Sequence, residues 1–239
     1  MIVTEGALLD GRLRYRQRAT GHRTGIEPVL LAAAVPARPG ERVIEAGTGA
    51  GAGLLCLGFR VPGIAGIGIE RDSTLARLAT TNFVANGFTE ISALAADIAH
   101  LPLGGGFDHA FANPPWHDPA GTASPDPGRQ LAHRAPAGLL TTWIGALTTV
   151  LYPRGSITLI LPAASLSDAC ASLRDARCGA SRILPLWPRA GRAAKLVIIQ
   201  ARKGARGPDA LLPGLTLHGE GGYTCDAEAI LRNGQPLTL

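Results

Sequence analysis

Asn113-Pro114-Pro115-Trp116 is the stretch of this chain whose residue types are best suited to chemistry. Two successive prolines fix the backbone and remove two N–H donors, so the Asn113 side chain and the Pro114 carbonyl can both face a cleft as fixed acceptors. A primary amino group can donate to both of them while its nitrogen lone pair is turned toward an electrophile. Trp116 adds a flat apolar face on which an unstacked base or an amide can lie. The competing reading is a plain Asn-Pro turn after a strand. The chemical reading gains from what comes before: Phe107 to Ala112 is an apolar, strand-like run, and a glycine-rich loop lies upstream.

That loop is Val43-Ile44-Glu45-Ala46-Gly47-Thr48-Gly49-Ala50-Gly51-Ala52-Gly53, a strand ending in a tight glycine turn that opens a helix. Glycines let the backbone approach a bound nucleoside closely. The spacing Gly47-x-Gly49-x-x-Ala52 also satisfies the dinucleotide fingerprint, and Glu70 lies near the distance of a ribose-binding acid in either case. The loop alone does not choose between the two ligands. Glu45 favours S-adenosylmethionine, whose ammonium it can meet, because a pyrophosphate would prefer no anion there. Glu70, followed by Arg71, can accept from both ribose hydroxyls. Asp97 can accept from the adenine amino group while Ile98 packs against the ring; the alternative for Asp97 is a solvated turn acid.

These residues need a scaffold, and from Glu41 onward strand-like and helix-like patches alternate, as a parallel sheet with crossover helices requires. Strands are expected at Val43 to Ala46, Gly66 to Glu70, Ile91 to Ala95, Phe107 to Ala112, Gly155 to Leu161, Ser181 to Leu186 and Lys195 to Ala201. Helices are expected at Ala50 to Phe59, Ser73 to Asn86, Ala137 to Leu151 and Ser165 to Asp175. Before them, Leu8 to Arg16 alternates around Asp10-Gly11 as a hairpin does. Thr24 to Val35 has helical spacing, with Thr24-x-x-Glu27 as a capping box unless Pro28 marks the first turn. His117 to Pro136 reads as a substrate-side loop. His117 and Asp118 are either a proton relay there or polar surface. Gly204 to Leu239 reads as strands and turns. The whole, 1–239, is expected to be one domain: hairpin and helix at 1–36, core at 41–203, tail at 204–239.

The chain carries a net charge of +5, and its basic residues are nearly all arginine. They gather at Arg12, Arg14, Arg16, Arg18 and Arg23, and again at Arg182, Arg189, Arg192, Lys195, Arg202, Lys203 and Arg206. If both groups face one cleft they suit phosphate contacts; otherwise they are solvated strand faces. Cys56, Cys170, Cys178 and Cys225 have no zinc spacing, so reduced thiols and no metal are expected. No apolar run is long enough to span a bilayer, and the N-terminus lacks a secretory pattern, which predicts no membrane association and a cytoplasmic location.

The order Glu45-x-Gly47-x-Gly49-x-Gly51, Glu70, Asp97, Asn113-Pro114-Pro115-Trp116 resembles the class I S-adenosylmethionine-dependent amino-methyltransferases with an N-P-P-[YFW] motif. Within them, Gly21-His22-Arg23-Thr24-Gly25-Ile26-Glu27-Pro28-Val29-Leu30-Leu31-Ala32 and the preceding Leu9-Asp10-Gly11 are similar to the tRNA1(Val) adenine-37 N6-methyltransferases. Glu27 replaces the more usual Asp, and Trp116 the commoner Tyr; acid and stacking plane are both kept. The resemblance implies an α/β Rossmann-like fold with a seven-stranded, mostly parallel sheet, helices on both faces and an N-terminal hairpin. It implies S-adenosylmethionine as cofactor and an RNA substrate, tRNA foremost. It puts Asn113, Pro114, Pro115 and Trp116 at the reacting nitrogen, and Arg23, Thr24, Glu45, Gly47, Thr48, Gly49, Gly51, Glu70, Arg71, Asp97, Ile98 and Asn113 around the cofactor. The same motif serves enzymes that methylate DNA adenine, ribosomal guanine and the glutamine amide of release factors.

Overall fold

Consecutive apolar residues such as Val43-Ile44 and Leu159-Ile160-Leu161 belong to strands covered on both faces, and that is how they sit. The computed structural model of the protein describes residues 2–21, 23–115 and 138–239. Five parallel strands form the centre: β3 (Arg42–Ala46), β4 (Ala65–Glu70), β5 (Ile91–Ala95), β6 (Phe107–Ala112) and β7 (Leu151–Pro162). β8 (Cys178–Arg189) and the reversed β9 (Leu196–Lys203) extend the sheet, with β9 inserted antiparallel between β7 and β8. The spatial order is β5-β4-β3-β6-β7-β9-β8. All seven expected strands are present, but among the described residues the sheet has nine, because β10 (Ala210–Leu211) and β11 (Leu215–His218) of the tail both pair with β8. The count of seven is corrected by these two short additions.

Helices α1 (Glu27–Ala34), α2 (Ala52–Arg60), α3 (Ser73–Ala85) and α6 (Cys225–Asn233) share one apolar layer, and α4 (Leu139–Val150) and α5 (Leu166–Asp175) share the other. Alternate strand residues feed the two layers: Val43, Phe111, Ile160 and Ile198 one, Ile44, Ala110, Leu159 and Ile199 the other. α6 corrects the reading of the tail as strands and turns. Its signals are local: Thr224 caps it by accepting from the Ala227 N–H, Asp226 and Glu228 suit the first turn, and Gly234 closes it at φ 67°. α1 begins at Glu27 after Ile26, without a side-chain cap, so the Thr24 capping box does not form and Pro28 lies in the first turn. The loop expected at His117 to Pro136 lies outside the described residues.

The hairpin of β1 (Val3–Leu8) and β2 (Leu13–Arg18) turns through Leu9 to Arg12, with Leu9, Asp10 and Gly11 at φ 51°, 54° and 87°. It is tied to the rest by two side-chain amides of α3 acting as a substitute strand. Asn86 accepts from the Arg14 N–H at 2.9 Å and donates to the Arg14 carbonyl at 2.8 Å. Asn82 does the same for Arg16 at 3.0 and 2.8 Å, and also donates to the Ala50 carbonyl in the glycine loop at 2.8 Å. Paired in this way, the otherwise bare edge of β2 is satisfied, and the hairpin is fixed to the loop.

Candidate active site

β3 and β6 are neighbours from which the chain continues in opposite directions along the sheet, the switch point beyond whose carboxyl ends a crevice opens. Ala46 pairs with Ala112, so Gly47 and Asn113, each one residue further on, leave adjacent strands side by side, roughly 5 Å apart at the ordinary strand spacing. Asn113 is half-buried, Pro114 is buried and Pro115 is exposed. Trp116, His117 and Asp118 lie outside the described residues.

The glycine loop starts with the N–H groups of Gly47 and Thr48 donating to the Ile69 carbonyl at 2.8 and 3.0 Å. Gly47, Gly49 and Gly51 take φ of 68°, 57° and 91°, a region costly for any side chain. A Cβ on Gly47 would stand 2.6 Å from the Trp143 ring, and one on Gly51 2.6 Å from Phe83, whereas one on Gly49 would meet nothing within 4 Å. The middle of the loop is therefore open. Beside it, Glu70 accepts from the Gly49 N–H at 3.0 Å through Oε2 and from the Asp72 N–H at 2.9 Å through Oε1. Each oxygen keeps a second acceptor direction, as two ribose hydroxyls require.

Glu45 lies beneath the loop, 4% exposed. Its Oε2 accepts from the Thr48 hydroxyl at 2.5 Å and from the Leu54 N–H at 3.2 Å, and a Cβ on Gly53 would fall 2.1 Å from Oε1. Burial outweighs these two hydrogen bonds and pushes the carboxyl up to about 8. Tyr15, buried nearby, is pushed up to about 12 by the same cause, and the Cys56 thiol is raised as well. The carboxylate that the sequence reading assigns to the cofactor's ammonium is thus engaged with the loop's own Thr48 and the first turn of α2.

Of the remaining expected residues, Arg71 and Asp97 follow β4 and β5 at the crevice end of the sheet. Asp97 is exposed and accepts from the Ala99 N–H at 2.9 Å, starting a short 3-10 turn in which Ile98 is buried. Thr24 shares a 2.7 Å hydrogen bond with the Tyr15 hydroxyl, and its N–H donates to Gln17 at 3.0 Å. Arg23 and Arg71 are exposed. Trp143, on α4, is a site residue that the sequence reading misses: it is 9% exposed and its ring backs Gly47. Its setting in an apolar helix gives no signal, because the contact depends on how α4 packs over β3.

The two arginine groups do not share one cleft. Arg16 is paired with Glu5 at 2.8 Å, Arg18 with Asp72, and Arg12 donates to the Leu9 and Arg232 carbonyls. β2 runs along α3 from Asn86 to Asp72, so only its Arg18 end reaches the carboxyl side of the sheet. In the second group, register divides the residues. Lys203 pairs with Cys178 and donates to the Thr148 and Leu151 carbonyls at the far end, Arg202 pairs with Ser156 there, and Arg189, Arg192 and Lys195 lie at the crevice end.

Five parallel strands followed by β8 with the reversed β9 inserted between β7 and β8, a glycine loop after β3 and an acid after β4 define the fold of the class I S-adenosylmethionine-dependent methyltransferases. Solved structures agree with it. A protein described as a predicted O-methyltransferase from Agrobacterium tumefaciens is similar at a TM-score of 0.74 and 23% identity, over 89% of this chain and 98% of that one. An S-adenosylmethionine-dependent O-methyltransferase from Thermotoga maritima gives 0.56 and 18%, over 80% and 69%. In sequence, the chain is 27% identical to the tRNA1(Val) (adenine(37)-N6)-methyltransferase of Aeromonas hydrophila over 76% of its own length and 77% of that protein. The protein of the same description from Shewanella baltica is 27% identical over 74% and 76%. No family model matches the chain.

Proposed function

We propose that this protein transfers a methyl group from S-adenosylmethionine to N6 of an adenine in RNA, with position 37 of tRNA1(Val) first among the candidates. One observation carries the reading: the Asn113-Pro114 acceptors leave β6 beside the point where the open glycine loop leaves β3. The sequence relatives, whose names specify that acceptor, support it. In this reading the hairpin, the core and the tail work as one catalytic domain.

The described residues fit the cofactor: an open loop at Gly49, a carboxylate at Glu70 with spare acceptor directions, and Asp97 with buried Ile98 beyond β5. S-adenosylmethionine, when bound, supplies the electrophilic methyl group. Gly47 to Gly51 give its amino-acid end a close backbone approach, Glu70 takes the ribose, and Asp97 accepts from the adenine amino group while Ile98 packs its ring. Thr24, Arg23 and Arg71 border the same crevice. The Asn113 side-chain oxygen and the Pro114 carbonyl accept the two amino hydrogens of the target and turn its lone pair toward the donor, with Trp116 stacked on the ring. Orientation of this kind accounts for several kcal/mol of barrier. The nitrogen becomes acidic only as the new bond forms, so no strong base is required.

Unmodified tRNA incubated with the protein and S-adenosylmethionine, then digested and analysed by nucleoside mass spectrometry, tests the reading. N6-methyladenosine should appear, and Asn113→Ala should lower turnover about 100-fold or more while leaving cofactor affinity nearly intact. A protein that leaves tRNA unmodified but methylates the glutamine amide of a release factor would replace this reading with the protein-directed one.

A further inference from the structure

Which basic side chains hold the substrate depends on where strand register places them and on which are already committed. Arg12, Arg16, Arg18, Arg42, Arg60, Arg189, Arg202 and Lys203 are engaged with carbonyls or carboxylates of the protein itself. Arg192 and Lys195 are different. Both are exposed, and no side-chain partner of either is found among the described residues. They lie in the turn between β8 and β9, which closes with the Arg192 N–H on the Arg189 carbonyl at 3.2 Å.

Register fixes this turn at the crevice end of the sheet. Leu196 pairs with Pro162, the last residue of β7, and the Ala163 N–H donates to the Lys195 carbonyl at 2.9 Å. β7 is in turn the neighbour of β6, whose end carries Asn113. Two strand spacings across the sheet and three residues along it, each about 10 Å, therefore put Lys195 roughly 14 Å from the acceptor motif. Successive phosphates of a stacked strand rise by about 3.4 Å each, so that distance spans roughly four nucleotides. Asp168 in the first turn of α5 and Glu220 after β11 lie at the same end, so the turn itself offers two discrete cations rather than a broad positive field.

We infer that the β8–β9 turn, through Arg192 and Lys195, binds backbone phosphates of the RNA strand that flanks the methylated adenine. The inference rests on the proposed RNA methylation and adds the element that grips the substrate. It also removes that role from the hairpin arginines, whose side chains are engaged or lie along α3 away from the crevice.

The test measures tRNA affinity as a function of salt for wild type, for Arg192→Ala with Lys195→Ala, and for Arg38→Ala with Arg206→Ala. The last pair removes the same charge from exposed residues outside the crevice. Two lost phosphate contacts should lower the slope of log affinity against log salt by about 1.4 in the first variant, at roughly 0.7 per contact on single strands. The control should keep the wild-type slope, and S-adenosylmethionine affinity should be equal in all three. An unchanged slope in the first variant, or an equal loss in the control, overturns the inference even when wild type methylates tRNA normally. Wild type that neither binds nor methylates tRNA overturns the proposed function and this inference together.

Discussion

Replacing Glu45 with Gln isolates the proton that the glycine loop holds in its core. The carboxyl is fully buried against two neutral donors, the Thr48 hydroxyl and the Leu54 N–H, and is pushed from 4.5 up to about 8. The folded state therefore keeps a proton that the unfolded chain releases above pH 4.5. Stability from this group is complete below that pH and is lost as pH rises through 8. Each pH unit in that window costs about 1.36 kcal/mol, so the loss between pH 5 and pH 8 is roughly 3–4 kcal/mol, a large share of an ordinary domain's stability. Gln has the shape of the protonated acid and does not titrate. Urea denaturation of both proteins at pH 5, 6, 7 and 8 gives the difference directly, with all other titrating groups cancelling. Wild type should lose roughly 3–4 kcal/mol relative to Glu45→Gln across the series. Parallel curves would show that Glu45 is ionised in the folded state and would refute the reasoning.

Other consequences are equally specific. Glu70→Ala should weaken S-adenosylmethionine by about 1.5–3 kcal/mol in titration calorimetry, the scale for charge-assisted hydrogen bonds; unchanged affinity would remove Glu70 from the ribose. Asn82→Ala deletes three hydrogen bonds at a residue 1% exposed and leaves the Ala50 carbonyl bare, so it should cost about 3 kcal/mol. Asn86→Ala, at the more open end of the same ladder, should cost about 1 kcal/mol, and equal losses on urea denaturation would contradict the ladder. His109 sits between Glu41 at 2.8 Å on Nε2 and Ser156 at 2.7 Å on Nδ1, and burial lowers its pKa despite the carboxylate. With Glu41 as the acceptor, Nε2 carries the hydrogen of a neutral ring and Nδ1 accepts from Ser156. Below pH 6.5 the unfolded chain takes up a proton that the folded one resists, so stability falls with acidity. His109→Gln should flatten that fall below about pH 6.5, and an identical fall in both proteins would count against it.

Local chemistry was legible in the sequence wherever neighbouring residues carry it. Glycines at 47, 49 and 51 announced a backbone turn that only they adopt cheaply, the double proline announced a rigid acceptor pair, and runs of apolar residues located all seven core strands. The helix at Cys225–Asn233 was legible too, in Thr224 and Gly234, but its short apolar stripe of Ala227, Ile230 and Leu231 was hidden among turn residues. Tertiary structure decided what depends on distant partners. It turned Glu45 under the loop onto Thr48, set Trp143 behind Gly47, and sent Lys203 and Lys195 to opposite ends of one strand. Periodicity records how often a side chain is buried, whereas direction and company come from the register between strands far apart in the chain. A carboxylate beside a glycine turn reads the same in sequence whether it faces the crevice or the core, and only the packing of α2 against β3 distinguishes the two.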